Sequence, residues 1–204
     1  MNYPAFFDQA PSIPTHDPLA ALLGASDEGL LDYHYIDAVR LAGHSCPTVA
    51  GAYLMARAAL RALYPESPAE RGGIVVQMPA AESEGTNGVI AQVLTLITGA
   101  AATNGFHGIG GHFVRQSLLS FGASSESTAI RFSRSDNGTA VALTLDLSSV
   151  PAPANLRPLL GAALATDATT AQRTAFAHAW QDRVRRLLLE HADDPAVVQI
   201  TRLN

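Results

Sequence analysis

The stretch TVAGAYLMARAALRALY, framed by Pro47 and Pro65, constrains the fold more than any other part of the chain. Val49, Ala52, Tyr53, Ala56, Ala59, Leu60 and Leu63 recur at the i, i+3, i+4, i+7 spacing of a packed helix, while Arg57 and Arg61 fall on another face. Gly51 and the many alanines let a neighbouring element approach closely. Pro47 suits a first helical position and Pro65 a stop, so this helix has defined ends.

The remaining segments place other elements around it. GGIVVQMPA is β-rich between glycines and a proline, which predicts a strand at about residues 73–79. TNGVIAQVLTLITG predicts a helix capped by Thr86 or Asn87, stopped by Gly99 and buried along Val89, Ile90, Val93, Leu94 and Ile97. STAIRFSRSDNGTAVALTLDL alternates on both sides of Asp136-Asn137-Gly138 and predicts a hairpin. TTAQRTAFAHAWQDRVRRLLLEH predicts a long amphipathic helix burying Phe176, Trp180, Val184, Leu187 and Leu188. Upstream, Asp17 caps a short helix with Pro18 in its first turn, and a second helix is expected from Ser26 to Gly43. The fold class is α+β, with helices packed on a mixed or antiparallel sheet that contains a C-terminal hairpin, plus a long C-terminal helix. Residues 1–25 read as an N-terminal arm and short helix, 26–150 as the core domain and 151–204 as a helical extension.

Composition narrows the function. All 13 basic residues are arginine, which removes Schiff-base chemistry and a Walker-type phosphate lysine. A net charge of -5 argues against nucleic acid as a partner, and no apolar stretch has the length of a membrane span. The proline-broken N-terminus does not read as a signal peptide, and a single cysteine forms no internal disulfide. These features point to a cytoplasmic location.

That cysteine lies in GHSCP, residues 43–47, between two helical segments. Cys46 falls at or beside the N-cap of the helix opened by Pro47, where free amides and the helix dipole favour an anion. His44 is near enough to share a metal with it or to act as its base. Sulfur plus imidazole suits zinc, with nickel and iron as other fits. Further ligand candidates are His107 and His112 in the glycine-rich GFHGIGGH, which folds tightly around a ligand or lines an anion pocket. His34 lies on the preceding helix with Asp37 one turn on as an outer hydrogen-bond acceptor. Glu82 and Glu84 read as solvated first-turn acids, and His178 and His191 as structural residues of the last helix.

GHSCPTVAGAYLMARAAL resembles the signature of the FmdE family, which comprises a component of formylmethanofuran dehydrogenase and its stand-alone bacterial relatives, the FmdE-like proteins. GVIAQVLTLITG, residues 88–99, resembles that family's second helix, and His44, Cys46, Pro47, Gly88, Gln92 and Gly99 fall on its motif positions. The resemblance covers about residues 30–147 and implies an α+β core, a homodimer and a metal, usually zinc, near the His-x-Cys motif. Ala42, Asn87 and Ala100 stand where that family commonly has a histidine and two cysteines, and no zinc-ribbon tail follows.

Three functions follow as expectations. In the first, His44 and Cys46 hold a divalent transition metal with His107 or His112 completing the site. The ion either activates water or a carbonyl of a small-molecule substrate in an open position, or is held for delivery or sensing. In the second, a metal-free enzyme uses Cys46 as catalytic nucleophile and His44 as catalytic base. In the third, the chain is a non-catalytic subunit docking on an oxidoreductase partner.

Overall fold

The computed structural model describes residues 3–122 and 127–203. Its helices are α1 (Pro18–Leu22), α2 (Tyr35–Ala42), α3 (Pro47–Leu63), α4 (Asn87–Thr98), α5 (Leu156–Leu164) and α6 (Thr170–Leu189). Its strands are β1 (Ile13–His16), β2 (Leu30–Tyr33), β3 (Ala69–Glu70), β4 (Ile74–Gln77), β5 (Leu119–Ser120), β6 (Ile130–Arg134), β7 (Ala140–Leu145) and β8 (Val198–Leu203). The fold is α+β.

α3 is the centre of the core. Its expected stripe is buried, and so are Ala50, Gly51, Leu54 and Met55, because helices and sheet surround it on several sides. α2, α4 and α6 pack on it, and so do β7 and β8. A Cβ at Gly51 would lie 2.4 Å from Leu145 Cδ2, so the missing side chain is what lets β7 come this close.

The larger sheet has the order β5-β4-β6-β7-β8, with β4 and β5 parallel and the other pairs antiparallel. The Asp136-Asn137-Gly138 hairpin forms as expected, with Gly138 at φ 75° and the Thr139 N–H donating to Asn137 Oδ1 at 2.9 Å. Ile130, Phe132, Val141 and Leu143 point from β6 and β7 into the core.

Three local expectations change. The segment expected as helix from Ser26 begins instead with a 3-10 turn and β2, and only Tyr35–Ala42 is helical. Glu28 at φ 53° and Gly29 at φ 72° break the helical path, and the Asp17 N–H donates to the Gly29 carbonyl at 2.7 Å. β2 then pairs antiparallel with β1, which also pairs in parallel with β3. The C-terminal extension is not purely helical, since β8 pairs along its whole length with β7. On α6, Val184, Leu187 and Leu188 are buried, whereas Phe176 and Trp180 are half-buried, because the first turns of α6 are covered mainly by α5.

The N-terminal segment wraps the body. Phe7, Ala10 and Ile13 are core residues, and the Tyr53 hydroxyl donates to the Pro11 carbonyl at 2.8 Å. No helix among the described residues is long and apolar enough to cross a membrane.

Candidate functional site

GHSCP is the joint between α2 and α3. Gly43 closes α2 in the left-handed conformation (φ 73°), its N–H returning to the Val39 carbonyl. His44 and Ser45 make the turn, and Cys46 is the N-cap of α3, in extended conformation with Pro47 at the first helical position. Cys46 Sγ accepts from the Val49 N–H at 3.4 Å, the bond a serine or aspartate oxygen would make at an ordinary cap. The residue is 9% exposed.

His44 is exposed. Its Nδ1 lies 2.9 Å from the Ala42 carbonyl. A carbonyl only accepts, so Nδ1 carries the proton and the Nε2 lone pair of the neutral ring is free. That is the arrangement of a metal-binding histidine whose other ring nitrogen is fixed by a backbone carbonyl. No hydrogen bond joins His44 to Cys46 among the described residues; His44 is engaged by the α2 backbone and Cys46 by that of α3.

Three residues hold the turn from outside, and they include groups to which composition and spacing gave no role. Trp180 Nε1 donates to the Ser45 carbonyl at 2.9 Å, and Gln181 Nε2 donates to the same oxygen at 3.1 Å. The Ser45 hydroxyl donates to Gln181 Oε1 at 3.0 Å. The Tyr35 hydroxyl lies 2.9 Å from Ser45 Oγ and, with the serine proton directed at Gln181, is the donor of that pair. Tyr35 is buried, stacked edge-on against Phe7 at 5.0 Å and Tyr53 at 5.6 Å. Its burial pushes the phenol above its ordinary pKa.

The loop histidines are placed differently. Ile109 and His112 bracket a two-residue turn, exchanging N–H···O bonds of 2.9 and 3.0 Å across Gly110 and Gly111. Both glycines have positive φ (58° and 83°), as a type I′ hairpin turn requires. The glycines therefore fold the loop on itself, and His107 and His112 are both exposed. Among the described residues no group of three or more His, Cys, Asp or Glu side chains is gathered to hold a metal ion, so the fold does not bring either loop histidine to the His44–Cys46 pair.

The loop is fastened to the body at a buried ion cluster that residue spacing alone did not single out. Asp17 accepts from Arg71 Nη1 at 2.8 Å and from Arg115 Nη2 at 2.7 Å, while also capping α1 through the Leu19 and Ala20 amides. Burial alone would raise the Asp17 pKa, but the Arg71 hydrogen bond, the Arg115 charge and the Ala20 amide outweigh it and hold the carboxyl below its ordinary range. Burial lowers the Arg115 pKa, opposed by the Asp17 charge. Among the described residues Arg115 Nη1 has no partner; it is buried and packs where side chains at Gly72 and Gly99 would otherwise stand.

His34 is not inside the helix but is its exposed N-cap. Its backbone N–H donates to Asp37 Oδ2 at 2.9 Å, which gives Asp37 a capping role. Glu82 and Glu84 are exposed in the turn before α4 rather than in its first turn. His191 pairs with Asp194 at 2.7 Å, and His178 is exposed on α6. A cavity of about 300 Å³ lies between α3, the start of α4 and the ends of β6 and β7, lined among others by Thr48, Met55, Asn87, Ile90, Ile130 and Leu145. Asn87 is committed to the turn before α4, its Nδ2 donating to the Ala81 carbonyl at 3.2 Å.

No protein-family model matches the chain, and no curated protein matches it.

Proposed function

We propose that the chain is an FmdE-like transition-metal-binding protein in which each protomer contributes a two-ligand half-site, His44 Nε2 and Cys46 Sγ. The observation that carries this reading is the tie between His44 Nδ1 and the Ala42 carbonyl, which fixes the tautomer and leaves Nε2 available two residues from the sole thiol. One imidazole and one thiolate are a donor set for zinc, nickel or iron, but two donors do not fill a tetrahedral sphere. Since no third ligand side chain is gathered among the described residues, the remaining positions belong to solvent, a small-molecule substrate or a second copy of the chain. When bound, such an ion supplies Lewis-acid chemistry at its open positions.

The metal requires a movement of the chain's own groups. Cys46 Sγ must give up the Val49 amide or share it, and the turn must admit an ion beside a residue that is 9% exposed. Titration with cobalt(II) reads this directly, because a cobalt–thiolate bond gives a charge-transfer absorption that imidazole alone does not. The band should appear in the wild type, vanish in Cys46→Ser and require higher cobalt in His44→Ala. A wild type that binds cobalt without the thiolate band would overturn the assignment.

A further inference from the structure

We propose that α6 positions the ligand turn through Gln181 and Trp180, so that the C-terminal extension controls how His44 and Cys46 are presented. This rests on the proposed reading of those two residues as a ligand pair and adds the device that regulates it. Ser45 stands between the two, and all its polar contacts outside the turn are supplied by three side chains. Gln181 grips it twice, its amide N–H on the carbonyl at 3.1 Å and its amide oxygen on the hydroxyl at 3.0 Å. Trp180 adds a second donor to the same carbonyl at 2.9 Å. Tyr35, immobilised between Phe7 and Tyr53, holds the hydroxyl from α2 at 2.9 Å. A serine bound on carbonyl and hydroxyl alike cannot rotate its peptide planes without breaking several of these bonds together. The dihedral angles of Ser45 set the separation and direction of the residues on either side, so the clamp acts on both ligands at once.

The geometry also gives the clamp a lever. α6 is anchored below by Val184, Leu187 and Leu188, whereas its first turns and α5 form a hairpin in which α5 has no buried residue. Trp180 and Gln181 lie where the anchored part begins, one turn before Val184. A displacement of the hairpin therefore reaches Ser45 before it reaches the core. Losing the two Gln181 bonds should raise the population of the open turn by roughly tenfold, the effect of two ordinary hydrogen bonds partly replaced by water.

The test compares wild type, Gln181→Ala and Val184→Ala in the full chain. Val184→Ala weakens α6 through the core without touching Ser45, and denaturant brings the wild type and both variants to matched stability. Two readouts are followed: alkylation of Cys46 in metal-free protein, and the cobalt(II) concentration at half-saturation of the thiolate band. Gln181→Ala should alkylate about tenfold faster and need about tenfold more cobalt, whereas Val184→Ala stays within about twofold of wild type on both. Ser45→Ala removes the hydroxyl bonds to Gln181 and Tyr35 but keeps the carbonyl bonds, and should also accelerate alkylation; because it shares one bond with Gln181→Ala, the double variant should exceed either single one by less than the product of their effects. Equal acceleration in Val184→Ala at matched stability, or additive effects in the double variant, would overturn the positioning role. If the wild type gives no thiolate band, the metal reading fails while alkylation still decides the clamp. If the band is present and Gln181→Ala alkylates at the wild-type rate, the clamp fails and the metal reading stands.

Discussion

Gln181 recognises Ser45 with both ends of its amide, donating to the backbone carbonyl at 3.1 Å and accepting from the hydroxyl at 3.0 Å, across 136 positions of sequence. Few contacts tie the C-terminal helix so directly to the joint between α2 and α3. Trp180 shares the carbonyl, which makes its indole N–H separable from its packing. Trp180→Phe keeps a ring beside Phe176 and removes the 2.9 Å bond, leaving Gln181 as the one donor on the Ser45 carbonyl. The expected cost is ~1 kcal/mol in denaturant unfolding with an unchanged m-value. An unaltered midpoint would show that the indole bond contributes nothing.

Asp17 makes stability depend on pH. Its folded pKa is depressed, so its contribution is present above the ordinary carboxylate value and lost as pH falls through the lower folded value. Thermal stability of the wild type should therefore drop progressively below about pH 4. Asp17→Asn leaves the buried Arg115 and the half-buried Arg71 without their anion, and should cost ~3 kcal/mol near neutrality while flattening the acid limb. A variant whose melting temperature fell with acid as steeply as the wild type would place the titration elsewhere.

Gly72 and Gly110 both have positive φ but differ in what surrounds them. A Cβ at Gly72 would stand 1.5 Å from Arg115 Nη1, whereas nothing lies within 4 Å of one at Gly110. Gly110→Ala should cost only the backbone penalty, ~1–2 kcal/mol. Gly72→Ala should cost ~3 kcal/mol or more, because it adds displacement of a buried guanidinium to the same strain. Urea midpoints for the two variants measure the difference, and equal shifts would mean that Arg115 relaxes freely.

What was legible in the sequence follows from how local each signal was. The small-residue face of α3, the Cys46–Pro47 start, the Gly99 stop of α4 and the Asn137-Gly138 turn are read within a few neighbouring residues, and all formed. β2 was missed because LLDY is a strand only when β1 lies beside it, and the turn at Gly29 is held by the distant Asp17 N–H donating to its carbonyl. β8 was hidden behind Pro195 and its acidic neighbours, and its identity comes from register with β7. At the site, His44 and Cys46 carried their own signal. Ser45, Tyr35, Trp180 and Gln181 did not, since a serine gripped from a distant helix has no spacing rule. The serine between the histidine and the cysteine was the one available hint.

The loop histidines give a sharp contrast with the turn. His107 and His112 sit on a self-paired glycine hairpin, and the fold does not gather either with His44 and Cys46. The double variant His107→Ala/His112→Ala should keep cobalt affinity within about twofold, less than the ~1.4 kcal/mol of a tenfold change. A tenfold loss would mean that the loop closes onto the turn when metal binds.

The central claim is that His44 and Cys46 form a transition-metal half-site, and elemental analysis of tag-free protein beside Cys46→Ser tests it most directly. Zinc, nickel or iron approaching one ion per chain, or one per two chains if a second copy completes the sphere, and absent from Cys46→Ser is the predicted result. Metal retained undiminished in Cys46→Ser, or wild-type protein that stays metal-free after incubation with zinc, would contradict it.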